Sequence, residues 1–288
     1  MQSKTLISIL TASLLHLNAS SQDMNTVNIE VTKLSETVYM FQGSGGNIGI
    51  SIGKDGVYLI DSQFANLTSK ITAEIKKITP KPIKLLVNTH HHGDHTGGNE
   101  NLSALGTYIV AHDNVRSNLQ GKSEQTLPVI TFNDKLTLHL NGEKTLLYHV
   151  ENAHTNGDTV VYFTESNVLH TGDTYFKGWY PFIDLNDGGS VDGYIAAVKQ
   201  AMILIDDDTK IIPGHGGLSN KKEYMAFLTM MEDLRNIILE EIRKGQTEDE
   251  VANNSNLTRS YDDQGYAWQF ITSEKIRRVF YKSLSQRL

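Results

Sequence analysis

The chain has 288 residues, 39% of them hydrophobic, and a formal net charge of −7. That length can bury a sizeable core, and that charge argues against a nucleic-acid partner held by a general basic surface. Cysteine is absent, so disulfides, iron–sulfur clusters and thiolate zinc sites are excluded, and any metal must be held by histidine and carboxylate.

Near the start, Lys4 is followed by the apolar run LISILTASLL and then by small residues in HLNASSQ. A charge, a short apolar stretch and small residues form a signal-peptide pattern, and the run is too short to span a bilayer. Residues 1–21 are therefore expected to be a signal peptide cleaved between Ala19 and Gln22. Residues 22–288 are expected to form one catalytic domain, soluble, periplasmic or secreted, and not inserted in a membrane.

From residue 25 the chain reads as short strands. NIEVTKLS and TVYMFQ alternate at the strand period and lead into the Gly-rich turn GSGGN. IGISIG and GVYLID pair across KDG, residues 65–79 carry apolar positions at helical spacing before Pro80, and IKLLVNTH is a buried-type strand. TYIVA, KLTLHL, KTLLYHV, DTVVYF and NVLHTG are further strands, and KIIPG is a strand between helices expected at 190–205 and 219–244. A last helix is expected over 264–286. GVYLIDSQF and NVLHTGDTYF are equivalent points, an apolar strand ending in aspartate, and suggest an α/β fold of two similar halves with two sheets inside and helices outside.

The stretch NTHHHGDHTGGN, residues 88–99, holds four histidines and an aspartate in six consecutive positions. In extended chain, residues two apart share a side, so His90 and His92 converge while His91 points away. Gly93 lets the chain turn before Asp94 and His95. Three other residues sit in similar settings, where a strand ends and loops gather: His154 in ENAHTNGDT, Asp173 in LHTGDTYF and His215 in IIPGHGGLS. Asp61 and Asp158 could orient histidines or serve ordinary turns. His91, His112, His139, His149 and His170 read as structural or surface residues.

The pattern H-x-H-x-D-H, then a histidine, an aspartate and a histidine at strand ends, resembles the metallo-β-lactamase-fold metallo-hydrolases, in particular their periplasmic β-lactamase-like branch. The resemblance covers residues 28–218. It implies an αββα sandwich, two central mixed sheets flanked by helices, with the site along one edge of the sheets. It further implies two Zn2+, iron and manganese remaining open. One ion would be held by His90, His92 and His154, the other by Asp94, His95 and His215, with Asp173 bridging them. Broad-spectrum metallo-β-lactamases commonly carry a cysteine near the position of Asp173. A bridging aspartate is typical of glyoxalase II-like thioesterases, lactonases and related esterases.

Zinc makes hydroxide available at neutral pH, so the expected activity is attack of metal-bound hydroxide on a carbonyl, without a serine or cysteine nucleophile. Asp94 is a candidate to protonate the leaving group. Lys177 and Asn186 lie at distances from Asp173 similar to those of a substrate-binding lysine and asparagine in β-lactamases, and are candidate substrate contacts. The Gly-rich loop at 43–47 is short and polar for an apolar substrate clamp. The expected substrate is a small molecule with a hydrolysable carbonyl, with weak β-lactam hydrolysis. A lactone or ester hydrolase, or a glyoxalase II-like thioesterase, is the alternative, and a zinc-storage protein is the reading from outside enzymology.

Overall fold

A computed structural model of the protein describes residues 24–286; the expected signal peptide lies outside them. Among the described residues the strands form two sheets. The first has seven strands in sequence order: β1 (Glu30–Lys33), β2 (Val38–Gln42), β3 (Ile48–Gly53), β4 (Gly56–Ile60), β5 (Ile83–Val87), β6 (Tyr108–His112) and β7 (Ile130–Phe132). The second has six: β8 (Lys135–Leu140), β9 (Glu143–His149), β10 (Thr159–Phe163), β11 (Val168–His170), β12 (Lys210–Ile212) and β13 (Ser219–Asn220).

The two halves repeat one plan. β1 to β4 are antiparallel neighbours, and β4 then pairs in parallel with β5 after the helix α1 (Thr68–Ile78). Correspondingly, β8 to β11 are antiparallel neighbours, and β11 pairs in parallel with β12. Between β5 and β7 lie three short helices, α2 (Gly93–Thr96), α3 (Asn99–Ala104) and α4 (Asp113–Asn118); between β11 and β12 lies α5 (Val191–Leu204). Parallel neighbours need such crossovers, and they end at the same edge of the sheet. Asp61 follows β4, His90 follows β5, Asp173 follows β11 and His215 follows β12, so topology alone brings these four residues to one rim.

Strand alternation builds the layers. Ile60, Val87 and Val110 of the first sheet meet Leu147, Val161 and Phe163 of the second to form the core between the sheets. The opposite faces of the same strands, through Ile50, Leu59 and Leu86, pack on Ile71 and Ile75 of α1. The outer face of the second sheet is covered by α5, α6 (Lys221–Arg243) and, after α7 (Glu248–Asn253) and α8 (Arg259–Asp262), by α9 (Ser273–Ser285). Ile71 and Ile75 are each 2% exposed, and full burial of such a side chain stabilises by about 1.5–3 kcal/mol. This is the expected αββα arrangement. No described helix is long and apolar enough to cross a membrane.

Three sequence expectations need correction. Residues 219–220 pair with β12 as β13 instead of opening a helix, and α6 starts at Lys221, where the Asn220 side chain accepts a hydrogen bond from Glu223 N at 3.0 Å. The last helix begins only at Ser273, capped by Thr272. Residues 266–271 are instead a loop, held by Trp268 Nε1 donating to Tyr180 O at 2.9 Å and by Tyr180 N donating to Tyr266 O at 2.8 Å. Helical periodicity in that stretch comes from aromatic residues that face the neighbouring loop. The short helices α3 and α4 are absent from the sequence reading, because neither carries enough turns to show a period.

Candidate metal centre

The two sheets are joined at the rim by backbone hydrogen bonds, Thr159 N to Thr89 O at 2.8 Å and Asn47 N to Gly214 O at 2.8 Å. Within this seam the ligand-type residues cluster. His90, His92 and His154 form one group in which one donor atom from each lies within 4.8 Å of the others; Asp94, His95 and His215 form a second. Asp173 touches both. Its Oδ2 lies 3.6 Å from His154 Nε2 and 3.3 Å from His215 Nε2, and its Oδ1 lies 3.1 Å from His95 Nε2. Each of the seven residues expected from the sequence is therefore in the cluster.

The rings of His154, His92, His90 and His95 are each aimed by a partner on the far side. His154 Nδ1–H donates to Phe182 O at 2.7 Å, and His92 Nε2–H donates to Asp184 Oδ2 at 3.2 Å. This leaves His154 Nε2 and His92 Nδ1 facing each other at 2.9 Å. Burial pushes the His154 pKa down to about 4, so its ring is neutral at pH 7. The His154 Nε2 lone pair and His92 Nδ1 are thus close enough to share one cation. His90 Nδ1–H donates to Thr89 Oγ1 at 3.1 Å, and that hydroxyl donates to Asp61 Oδ2 at 2.7 Å. His95 Nδ1–H donates to the same Asp61 Oδ2, at 2.7 Å. Thr89 N closes the array on Asp61 Oδ1 at 2.8 Å.

Asp61 holds this position with φ of 66°, a left-handed conformation in which Asp and Asn are enriched among non-glycine residues. Asp158 acts on backbone instead: its carboxylate accepts from His154 N at 2.6 Å and Thr155 N at 2.8 Å and sets the turn that carries His154.

The atoms left over fit a metal. His90 Nε2, His95 Nε2 and Asp173 Oδ1 are buried without a geometrically acceptable hydrogen bond, an arrangement expensive for polar atoms unless something else satisfies them. Imidazole nitrogen and carboxylate oxygen suit zinc or a similar borderline cation. Charge is segregated as well. Burial, then His95 and His154, hold His90 well below the usual imidazole range. In the second group burial opposes charge, but Asp173 chiefly raises His95 well above that range and raises His215 to about 9. Against burial, His95 and His215 hold Asp173 well below the carboxylate range, and His95 and then His215 lower Asp94. Asp94 is thus ionised at neutral pH.

Glycine at 46 is required by close approach. A Cβ there would lie 2.1 Å from His95 Cε1. The GSGGN loop, which the sequence marks as a turn, is shaped to let this ring in.

His91 points away, as strand alternation predicts. Its Nε2–H donates to Asp187 Oδ2 at 2.9 Å, and its Nδ1 meets Asn118 Nδ2 at 3.2 Å. His112 accepts from Asn114 N at the start of α4, and His170 is bonded to Asn47 O at 3.1 Å. Asp184 is a site residue that the sequence does not single out. It sits in a segment, DLNDGG, that reads as an ordinary turn, and only the fold brings it to His92.

Lys177 and Asn186, the candidate substrate contacts, are engaged elsewhere. Lys177 Nζ lies 2.9 Å from Glu223 Oε2 and donates to Leu218 O at 2.7 Å, so its charge is directed along β13 and α6. Asn186 is exposed in the turn closed by Asp184 Oδ1. Neither lines the cleft above the histidines, which measures about 1010 Å³.

The model of the metallo-β-lactamase superfamily matches residues 42–215, more than half of the chain and the whole of the cluster. The chain belongs to the metallo-β-lactamase superfamily. This superfamily comprises metal-dependent hydrolases. Among its curated members, a hydroxyacylglutathione hydrolase of Polaromonas sp. (strain JS666 / ATCC BAA-500) is 27% identical over 148 residues, 49% of this chain and 52% of that protein. A metallo-β-lactamase type 2 of Elizabethkingia meningoseptica is 27% identical over 173 residues, 57% of this chain and 68% of that protein. The chain spans about half the length of the first of these relatives. Among solved superfamily structures, a metallo-β-lactamase from Pontibacter korlensis superposes with a TM-score of 0.64 at 21% identity, covering 71% of this chain and 99% of that one. At that identity the likeness is one of fold.

Proposed function

We propose that the protein is a dinuclear metal-dependent hydrolase of small carbonyl compounds. The observation that carries this reading is Asp173, whose two oxygens face donor atoms of both histidine groups at 3.1–3.6 Å. His90, His92 and His154 would hold one ion, Asp94, His95 and His215 the other, and Asp173 both; zinc suits this donor set. When bound, such ions supply an activated water and polarise the substrate carbonyl. The chain's own part is to orient the ligands through Asp61, Thr89, Asp184 and Phe182 O. Asp94, ionised and 25% exposed at the cleft, would take a proton and return it to a leaving group.

Relatives include proteins named for a glutathione thioester and for β-lactams, so the family leaves the bond open. The cleft favours an ester or lactone. Among the described residues lining it none is lysine or arginine, and the ammonium beside it, Lys275, is engaged by the Phe270 ring and carbonyl, so a remote carboxylate, as on a β-lactam or on glutathione, would find no lysine or arginine in the lining to pair with. β-Lactam turnover is accordingly proposed to be weak. The export expected from residues 1–21 would place the reaction in the periplasm or outside the cell. Hydrolysis of a panel of neutral esters, lactones, thioesters and β-lactams by zinc-reconstituted protein tests the reading. Zinc-dependent ester or lactone hydrolysis supports it, and no zinc-dependent hydrolysis of any of them would refute it.

A further inference from the structure

One wall of the cleft is a continuous arc of rings that begins on one metal group and ends on the other. Phe176 stacks on His215, with centroids 4.9 Å apart and planes at 14°. Trp268 follows at 6.1 Å, Phe270 at 5.7 Å from Trp268, and Phe182 at 5.2 Å from Phe270. Phe182 then stacks on His92 at 5.7 Å and 25°. Trp179 stacks on Trp268 at 5.4 Å and 23°, widening the arc at the mouth. The arc comes from two segments far apart in sequence, 176–182 and 268–270, and no single stretch announces it.

The rings are not simply core. Trp179 is 36% exposed and Phe270 is 50% exposed, yet the loop that carries Trp268 and Phe270 is held by hydrogen bonds. Trp268 N donates to Ile271 O at 3.0 Å, in addition to the Trp268 and Tyr180 bonds that pin the loop. Lys275 donates to Phe270 O at 3.0 Å with its ammonium 4.0 Å from the Phe270 centroid, so its charge is engaged by the ring and the carbonyl. The Gly-rich residues 43–45 also line the cleft. A flat group lying against such rings gains stacking beyond simple burial. A rigid wall also loses little ordering entropy on binding.

We propose that the arc from Phe176 through Trp268 and Phe270 to Phe182 is a substrate subsite, and that the substrate class is a neutral carbonyl compound carrying a flat aromatic group. This deepens the hydrolase reading and rests on it for catalysis, but binding to the arc does not require turnover. The chain contains only two tryptophans, Trp179 and Trp268, and both line the cleft. Intrinsic tryptophan fluorescence therefore reports on this wall alone.

The test has two arms. In the first, 4-nitrobenzamide, a flat neutral quencher with a poor leaving group, is titrated into metal-free and zinc-loaded protein. Saturable quenching in both, weakened about tenfold in Trp268→Leu and Phe270→Ala, is expected. Strictly linear, collisional quenching identical in wild type and variants would overturn the subsite. In the second, KM for 2-naphthyl acetate and for ethyl acetate is compared. Trp268→Leu is expected to raise the first about tenfold and to leave the second within about twofold, at unchanged zinc content. An equal change in both would overturn the subsite while leaving the hydrolase reading intact. Saturable quenching without zinc-dependent hydrolysis of any ester, lactone, thioester or β-lactam would support the subsite while removing the hydrolase reading.

Discussion

Asp61 Oδ2 stands 2.7 Å from His95 Nδ1 and 2.7 Å from Thr89 Oγ1, so a single buried oxygen orients His95 directly and His90 through a hydroxyl. One residue outside the ligand set thereby serves a ligand of each metal group. Asp61→Asn keeps the size of the side chain and the tolerance for positive φ, but an amide NH2 in place of Oδ2 cannot accept from either donor. Metal affinity is expected to fall about 10- to 100-fold, read by competition with a chromogenic chelator. Wild-type affinity in this variant would show that the ring is held by packing alone.

Metal uptake should depend on pH differently in the two groups. A proton on an imidazole competes with a metal. In the metal-free protein His215 titrates near pH 9 and His95 is also raised, whereas His154 titrates near pH 4 and His90 is lowered too. Lowering the pH from 9 toward 6 therefore protonates the Asp94–His95–His215 group first and weakens it, by about tenfold per pH unit for each proton displaced. Equilibrium dialysis is expected to find two tight equivalents of zinc at pH 9 and one at pH 6. Equal affinities for both ions at the two pH values would contradict this.

The neighbours His91 and His92 separate alternation from mere crowding. His92→Ala removes a donor that faces His154 at 2.9 Å and is expected to lose bound metal. His91→Ala removes the hydrogen bonds to Asp187 and Asn118 and should keep the full metal content, with a stability loss of about 1 kcal/mol because the Asp187 side chain is 44% exposed. The comparison is metal content and thermal stability of the two variants. Equal metal loss in both would defeat the alternation argument.

Lys177 offers a test of substrate charge. Its ammonium is engaged by Glu223 and Leu218 O. Lys177→Ala is therefore expected to leave KM for a carboxylate-bearing β-lactam within about twofold, since the substitution removes only a part-exposed ion pair worth about 1 kcal/mol or less. A rise in that KM with no change for a neutral ester would return Lys177 to the site.

Much of the fold and of the site is legible in the sequence, for reasons that can be named. The apolar runs VYMFQ, GVYLI and TVVYF mark strands, and in the fold they are largely buried, with their two faces packing on different layers. The clustering of the seven histidines and aspartates is legible because each follows a strand whose end is fixed by its own hydrophobic run. Asp184 and the aromatic arc are not, since each works through a partner distant in the chain. Aromatic residues at 266, 268 and 270 carry hydrophobicity without revealing what they face, so the pattern predicts a helix where Trp268 lies in a loop. Spacing from Asp173 locates the backbone of Lys177, while Glu223, on another element, decides where its ammonium goes.

On this reading Asp173 joins two metal ions into one hydrolytic site. The decisive measurement is zinc content by mass spectrometry on wild type and Asp173→Asn, with ester hydrolysis assayed on the same samples. Close to two equivalents per wild-type chain are expected, with at most one in the variant and hydrolysis lost. A wild-type protein that holds a single equivalent, unchanged in Asp173→Asn with hydrolysis intact, would contradict it.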